Sequence, residues 1–316
     1  MKTRDMFDLL MLAAVWGASF LFLRVASPVV GPLGLAAFRV TGATLMLLPL
    51  VAMRGELGAV RRKWRPLIGA ALLSSILPFL GLSQASRSLP AGLLSILNAT
   101  TPMWGALVGW LWAGERLAGM RAIGLATGFT GVALLATHGN QLQSTHAYGA
   151  VALTLGSTLM YAFAVHYNKK FLRGMSPLGV SAGTLAVSAV LLSGPAFWIG
   201  PQPSQAIENA PSTWAQVPTT VWSALGALTV LCTGVAYVVF YRLIDRIGAS
   251  RALTVTFLIP AFGMLWGTLF LHERVTPLML LSTGIILLGT WLSNRSPAHP
   301  PAPMKPAASD LQAARS

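Results

Sequence analysis

At 316 residues, 54% of them hydrophobic and only 9% charged, the chain carries far fewer charges than the roughly one quarter usual in soluble domains. Its net charge of +14 is spread through short connections rather than gathered into a stripe, and without zinc-ligand spacing or an RNA-binding motif it speaks against a nucleic-acid partner. The single cysteine, Cys232, excludes an intrachain disulfide.

Apolar runs of about 20 residues recur from end to end, the mark of a polytopic membrane protein. Lys2 and Arg4 followed by an apolar stretch resemble a signal peptide, but the run reaches Val25 without a small-x-small cleavage site and reads as the first membrane helix. The runs predict an all-α fold of ten transmembrane helices at about 8–26, 32–53, 65–86, 91–112, 118–137, 148–168, 177–198, 218–241, 249–271 and 276–293. Each is near the length that crosses about 30 Å at a rise of about 1.5 Å per residue. Pro28 and Pro32 punctuate the first turn, Pro90 precedes the fourth helix and Pro177 opens the seventh. The Pro/Ala-rich tail over 294–316 is expected to be disordered.

Counting Lys and Arg on alternate sides puts eighteen on one face, including Lys2, Arg4, Arg54, Arg61, Arg62, Lys63, Arg65, Lys169, Lys170, Arg173, Arg242 and Arg246, and only Arg24, Arg87 and Arg274 on the other. Because cytoplasmic loops retain positive charge, both termini are expected inside a bacterial-type plasma membrane. The two longest outer connections, 138–147 and 199–217, carry no basic residue.

The chain also repeats itself. Residues 98–116 and 256–274, which are 158 apart, match at Pro102/Pro260, Gly105/Gly263, Leu107/Leu265, Gly109/Gly267, Leu111/Leu269, Glu115/Glu273 and Arg116/Arg274. At the same offset Trp64 matches Trp222, Leu67 matches Leu225 and Phe79 faces Tyr237; earlier in each half the offset is 145, aligning Pro32 with Pro177. Two five-helix halves follow, 1–138 and 148–293, joined by an outer connection at 139–147. Five is odd, so the second half enters from the opposite face and the repeats are inverted.

WGASF at 16–20, AFRV at 37–40, Pro102 with Gly-Glu-Arg at 114–116 and Pro260 with His-Glu-Arg at 272–274, set on ten helices in two halves, together resemble the EamA branch of the drug/metabolite transporter superfamily over about residues 8–293. The resemblance implies a secondary carrier, often an exporter, of amino acids, related metabolites or xenobiotics, built as a 5+5 inverted repeat around a central cavity. It does not extend to the proline-rich insert or the tail.

Arg39 lies about seven residues inside the second helix, where a lone arginine is costly. It is either a counter-charge for a substrate carboxylate or gate, or a structural arginine reaching the interface or helix-end carbonyls. Asn98, Thr101, Pro102, Gly105 and Gly109 share one face of the fourth helix. Asn98, Thr101 and Pro102 are assigned to the cavity, with Pro102 freeing a backbone carbonyl for substrate, and the two glycines to a neighbouring helix. Thr256, Pro260, Gly263 and Gly267 form the matching face of the ninth. Trp16, Ser19, Ser75, Tyr161 and Tyr237 are further candidate lining, set against the plainer reading of an aromatic as packing. His166 beside Lys169 reads as interfacial, and Glu115-Arg116 and Glu273-Arg274 read as pairs that hold helix ends.

There is no glycine-rich loop ending in Lys-Ser/Thr and no HExxH, CxxC or GxSxG, so no nucleotide, metal or other cofactor is implied and enzymatic chemistry is not indicated. A lipid-modifying enzyme would need clustered polar catalysts at one interface, and a sensor or scaffold would need a longer soluble loop. The expected partners are a small-molecule substrate and the lipid bilayer, moved and crossed by alternating access; nothing in the sequence sets an oligomeric state.

Overall fold

The computed structural model describes residues 2–114, 119–138, 145–208 and 210–294, and among them the chain is helical with no strand. Glu115, Arg116, most of the connection at 139–147 and the tail beyond 294 therefore lie outside the described residues. Among the described residues seven helices are long and apolar enough to cross a membrane, with two further apolar helices of 17 residues. The chain is a multi-pass membrane protein.

The first helical stretch, Thr3–Met53, is two helices joined at Gly31, whose φ of 78° and ψ of 166° leave the helical region. Only glycine adopts such angles readily, and a Cβ there would run into Gln202. We label these arms α1 (3–30) and α2 (32–53). Both arms touch the later helix Thr219–Ile247, here α8. Asp5 and Asp8 pair with Arg246 while Cys232 Sγ reaches Val15 O, so α1 runs antiparallel to α8. Phe38 meets Trp222, Gly42 meets Thr229 and Met46 meets Gly234, so α2 runs parallel to it. The chain thus reverses at one residue, where the proline spacing predicted a wider gap: Pro28 ends the first arm from within and Pro32 starts the second.

The remaining helices are α3 (Trp64–Ala85), α4 in two pieces, Ala91–Asn98 and Thr101–Ala113, α5 (Gly119–His138), α6 (Thr145–Phe171), α7 (Pro177–Ile199), α9 (Val255–Leu271) and α10 (Pro277–Ser293). Two predicted continuous helices are interrupted. The fourth breaks at 99–100 and the ninth at 253–254, where the short helix Ala249–Ala252 gives way to α9. α3 and α8 each contain a π-helical turn, Leu72–Ile76 and Val230–Val235. The second begins 158 residues after the first, which is the offset of the sequence repeat.

α5 and α10 pack backbone to backbone. Gly124 lies against Ser293, Gly128 against Gly289, and Gly131 against Ile286, so numbers rise on one helix as they fall on the other and the pair is antiparallel. Glycines permit this approach, because a Cβ at Gly289 would overlap the backbone of Gly128.

The bundle has two chemically different ends. At one, Arg246 holds Asp5 and Asp8, Lys63 Nζ donates to Phe171 O and Arg173 O, and Glu56 accepts from Ser176. At the other, Arg24 donates to Ser86 O and Arg87 O, while Gln202 and Ser204 of the proline-rich connection bond back to Val30 O and Pro28 O.

Candidate functional site

The site is built where α1, α2, α3, α6 and α8 meet. Arg39 of α2 is only 9% exposed. Its Nε donates to Thr233 Oγ1 at 3.0 Å, and its guanidinium lies 4.0 Å from the centroid of the Phe79 ring on α3. The π-helical turn in α8 sets this up: Thr233 Oγ1 donates to Leu228 O, five residues back, which leaves its lone pairs for Arg39. Neither terminal nitrogen of Arg39 has a hydrogen-bond partner among the described residues, and neither is sealed from solvent. The terminal nitrogens therefore keep some accessible surface on a side chain that is otherwise buried.

Aromatic side chains surround it. Tyr161 of α6 and Tyr237 of α8 pack against the cluster that holds Phe79. Tyr237 stands 6.1 Å from Tyr241, whose hydroxyl bonds Ser181 of α7. Trp16 of α1 is half-buried, its ring 5.1 Å from Phe240.

These residues pair under the repeat offsets. Trp16 and Tyr161 are 145 apart, and Ser75/Thr233, Phe79/Tyr237, Asn98/Thr256 and Pro102/Pro260 are each 158 apart. Ser75 and Thr233 both sit in the π-helical turns. The exception is Arg39, whose counterpart is Thr184, a buried hydroxyl donating to Ser181 O. One position of the sequence repeat carries a cation and its counterpart does not.

Several polar candidates spend their hydroxyls inside their own helices. Ser19 donates to Trp16 O at 2.6 Å and is 7% exposed, and Thr256 donates back to Leu253 O, in the break before α9, at 2.8 Å. Ser75 is buried beside Ser74, 3.4 Å between oxygens. Pro102 lacks the N–H that would bond Asn98 O, as expected, and Thr101 Oγ1 donates to that carbonyl at 2.8 Å, taking one of its two lone pairs. The Asn98 amide, half-buried at the break in α4, has no protein partner among the described residues and is not sealed from solvent.

The glycine faces of α4 and α9 differ. A Cβ at Gly263 would strike Ser95, and one at Gly267 would strike Glu273. At Gly105, the partner of Gly263, a Cβ meets nothing within 4 Å. The Cα face of Gly105 thus points into open space, while its carbonyl bonds His166 Nε2 of α6 at 3.1 Å. Glu273 caps a helix end, though not its own: it accepts from Ala91 N at 2.8 Å and Gly92 N at 3.1 Å, the start of α4. α9 thus packs on residues 91–98, while 101–113 pack chiefly on α6.

The sequence model of the EamA-like transporter family matches this chain twice, over 6–137 and 149–295. A relative from Bacillus subtilis (strain 168), named "Uncharacterized transporter YvbV", is 30% identical over 295 residues, 92% of each chain. Two Escherichia coli (strain K12) relatives are named "Probable amino-acid metabolite efflux pump", 25% identical over 93% of this chain and 95% of its own, and "Uncharacterized inner membrane transporter YedA", 24% identical over 88% and 86%. A solved crystal structure superimposes with a TM-score of 0.59, covering 93% of this chain and 97% of that one at 18% identity, which is a likeness of fold.

Proposed function

This chain belongs to the EamA-like transporter family, and on that premise we propose that it is a secondary active exporter of small metabolites, such as amino acids, related compounds or drugs, working by alternating access between two inverted five-helix halves. The repeat is supported by the doubled family match, by π-helical turns at matching positions and by the antiparallel α5/α10 seam. The direction and the metabolite class follow the name of the Escherichia coli efflux relative.

One observation carries the mechanism. Two contacts equivalent by the repeat, Gly263 with Ser95 and Gly105 with Leu253, are not made alike: the first is closed to the point of excluding a Cβ, and nothing lies within 4 Å of a Cβ at the second. α4 and α9 therefore meet at the Glu273 end and part toward the other, as a carrier does when its site opens to one side. Rocking the halves would exchange the two contacts. With the basic end cytoplasmic, this is the inward-open arrangement, with substrate entering past Gly105 toward Asn98, Thr101, Pro102, Trp16, Tyr161, Tyr237, Thr256, Pro260, Ser19, Ser75 and Arg39.

The test is purified full-length chain in proteoliposomes, loaded in turn with labelled amino acids, amino-acid metabolites and hydrophobic drugs. Protein-dependent efflux of at least one class, with counterflow on adding it unlabelled outside, is the expected result. No movement of any class above protein-free vesicles would sink the carrier reading.

A further inference from the structure

Resting on the carrier reading, we propose that the cargo is a monoanion: a carboxylate on an apolar body with no ammonium group, its carboxylate held by the terminal nitrogens of Arg39. Arg39 is 9% exposed, and its Nε and its ring-facing surface are already committed to Thr233 and Phe79. What remains is the outward edge of a planar fork, fixed in direction, whose two nitrogens match the two oxygens of a carboxylate.

The acidic side chains argue for an anionic cargo from the other side. Among the described residues Asp5 and Asp8 pair with Arg246, Glu56 accepts from Ser176 and Glu273 from the start of α4. Asp245 lies near the end of α8 and Glu208 in the proline-rich connection. None of them stands beside Arg39 to neutralise it, and none is placed to pair with an ammonium. A zwitterion bound through its carboxylate would hold its own cation within a few ångströms of Arg39, and that repulsion grows as the site loses water. A dianion fails for the opposite reason, because the repeat supplies Thr184 where a second cation would stand. Tyr161 and Tyr237, only partly buried against the cluster that holds Phe79, offer the body of the cargo an aromatic surface.

A consequence for energetics follows. Among the described residues no acidic side chain stands beside Arg39 to carry a proton, so each cycle moves the one negative charge of the cargo outward, and an inside-negative potential of 100 mV would favour export by about 50-fold in the equilibrium distribution ratio.

Three probes sharing a phenyl body decide the matter: 3-phenylpropionate, L-phenylalanine and 2-phenylethylamine, titrated calorimetrically against the full chain in nanodiscs. The expected order is 3-phenylpropionate tightest, phenylalanine at least about 10-fold weaker and phenylethylamine without measurable binding. Arg39→Gln should abolish the preference for 3-phenylpropionate over its neutral amide, and Arg39→Lys should weaken the acid about 10-fold. Should Arg39→Gln not fold, the ranking on the unaltered chain decides alone. Phenylalanine binding as tightly as 3-phenylpropionate, none of the three binding, or a preference that survives Arg39→Gln would each overturn the proposal. In proteoliposomes, 3-phenylpropionate efflux should accelerate when a valinomycin-clamped potassium gradient makes the lumen negative; efflux indifferent to potential would refute the charge movement. Efflux of another class without 3-phenylpropionate would defeat the monoanion and spare the carrier, whereas no efflux of any kind would defeat the carrier itself.

Discussion

A proline inside a membrane helix leaves a carbonyl without its partner, and at Pro102 a neighbouring threonine repairs the loss. Thr101 Oγ1 donates to the Asn98 carbonyl, while the Asn98 amide has no protein partner among the described residues. The two side chains should then separate experimentally. Asn98→Leu removes a free donor and acceptor worth roughly 1–3 kcal/mol in a desolvated site and should weaken transport about 5- to 150-fold with no loss of thermal stability. Thr101→Val removes the hydroxyl that satisfies a carbonyl and should lower the melting temperature in detergent. Identical melting of Thr101→Val and the parent, or unimpaired transport by Asn98→Leu, would contradict these assignments. The sequence revealed Asn98, Thr101 and Pro102 as a group because they are neighbours on one helix. It was silent on how Arg39 is held, because Thr233 is 194 residues away and is turned toward it by a π-helical turn that no apolar period announces.

At the scale of helices, the repeat was legible and its conformation was not. An offset of 158 identifies Gly105 with Gly263, and identical residues give no hint that one is in a closed seam and the other faces open space. Identical residues do not dictate identical neighbours, so the structure closes one contact and leaves the other open. The interrupted helices are just as silent in sequence: the run continues through 99–100 and 253–254, and only the hydrogen-bond ladder changes there, Thr100 N and Thr254 N bonding three residues back, to Leu97 O and Arg251 O. The asymmetry makes a paired prediction. Gly263→Ala forces a Cβ into Ser95, so α9 should be pushed from the start of α4 and a cysteine at position 95 should react several-fold faster with an aqueous thiol reagent. Gly105→Ala adds a methyl where there is room and should change stability by less than about 0.5 kcal/mol. Equal effects of the two substitutions on stability and on labelling would mean that the two ends are not in different states.

For the whole molecule, the ends of the bundle differ in charge in a way that folding alone does not require. Arg54, Arg61, Arg62 and Lys63 come together with Lys169, Lys170, Arg173 and Arg246 at the end where Lys63 holds Arg173 O and Arg246 holds the start of α1. The Gly31 reversal, the 86–90 connection and the proline-rich segment meet at the other, where Arg24 and Arg87 are spent on backbone carbonyls. Since positive loops are retained in the cytoplasm, the first end should be internal. Cys232 is buried and donates to Val15 O, so Cys232→Ser keeps the donor and gives a background free of native thiols. In that background Ala206→Cys and Arg62→Cys, both at exposed positions, test the two ends directly. In intact cells an impermeant maleimide should label position 206 and leave 62 untouched until the membrane is permeabilised. The reverse pattern would turn the molecule over in the bilayer and make the parted end of α4 and α9 face outward; labelling of both in intact cells would refute the assignment of these segments to opposite sides.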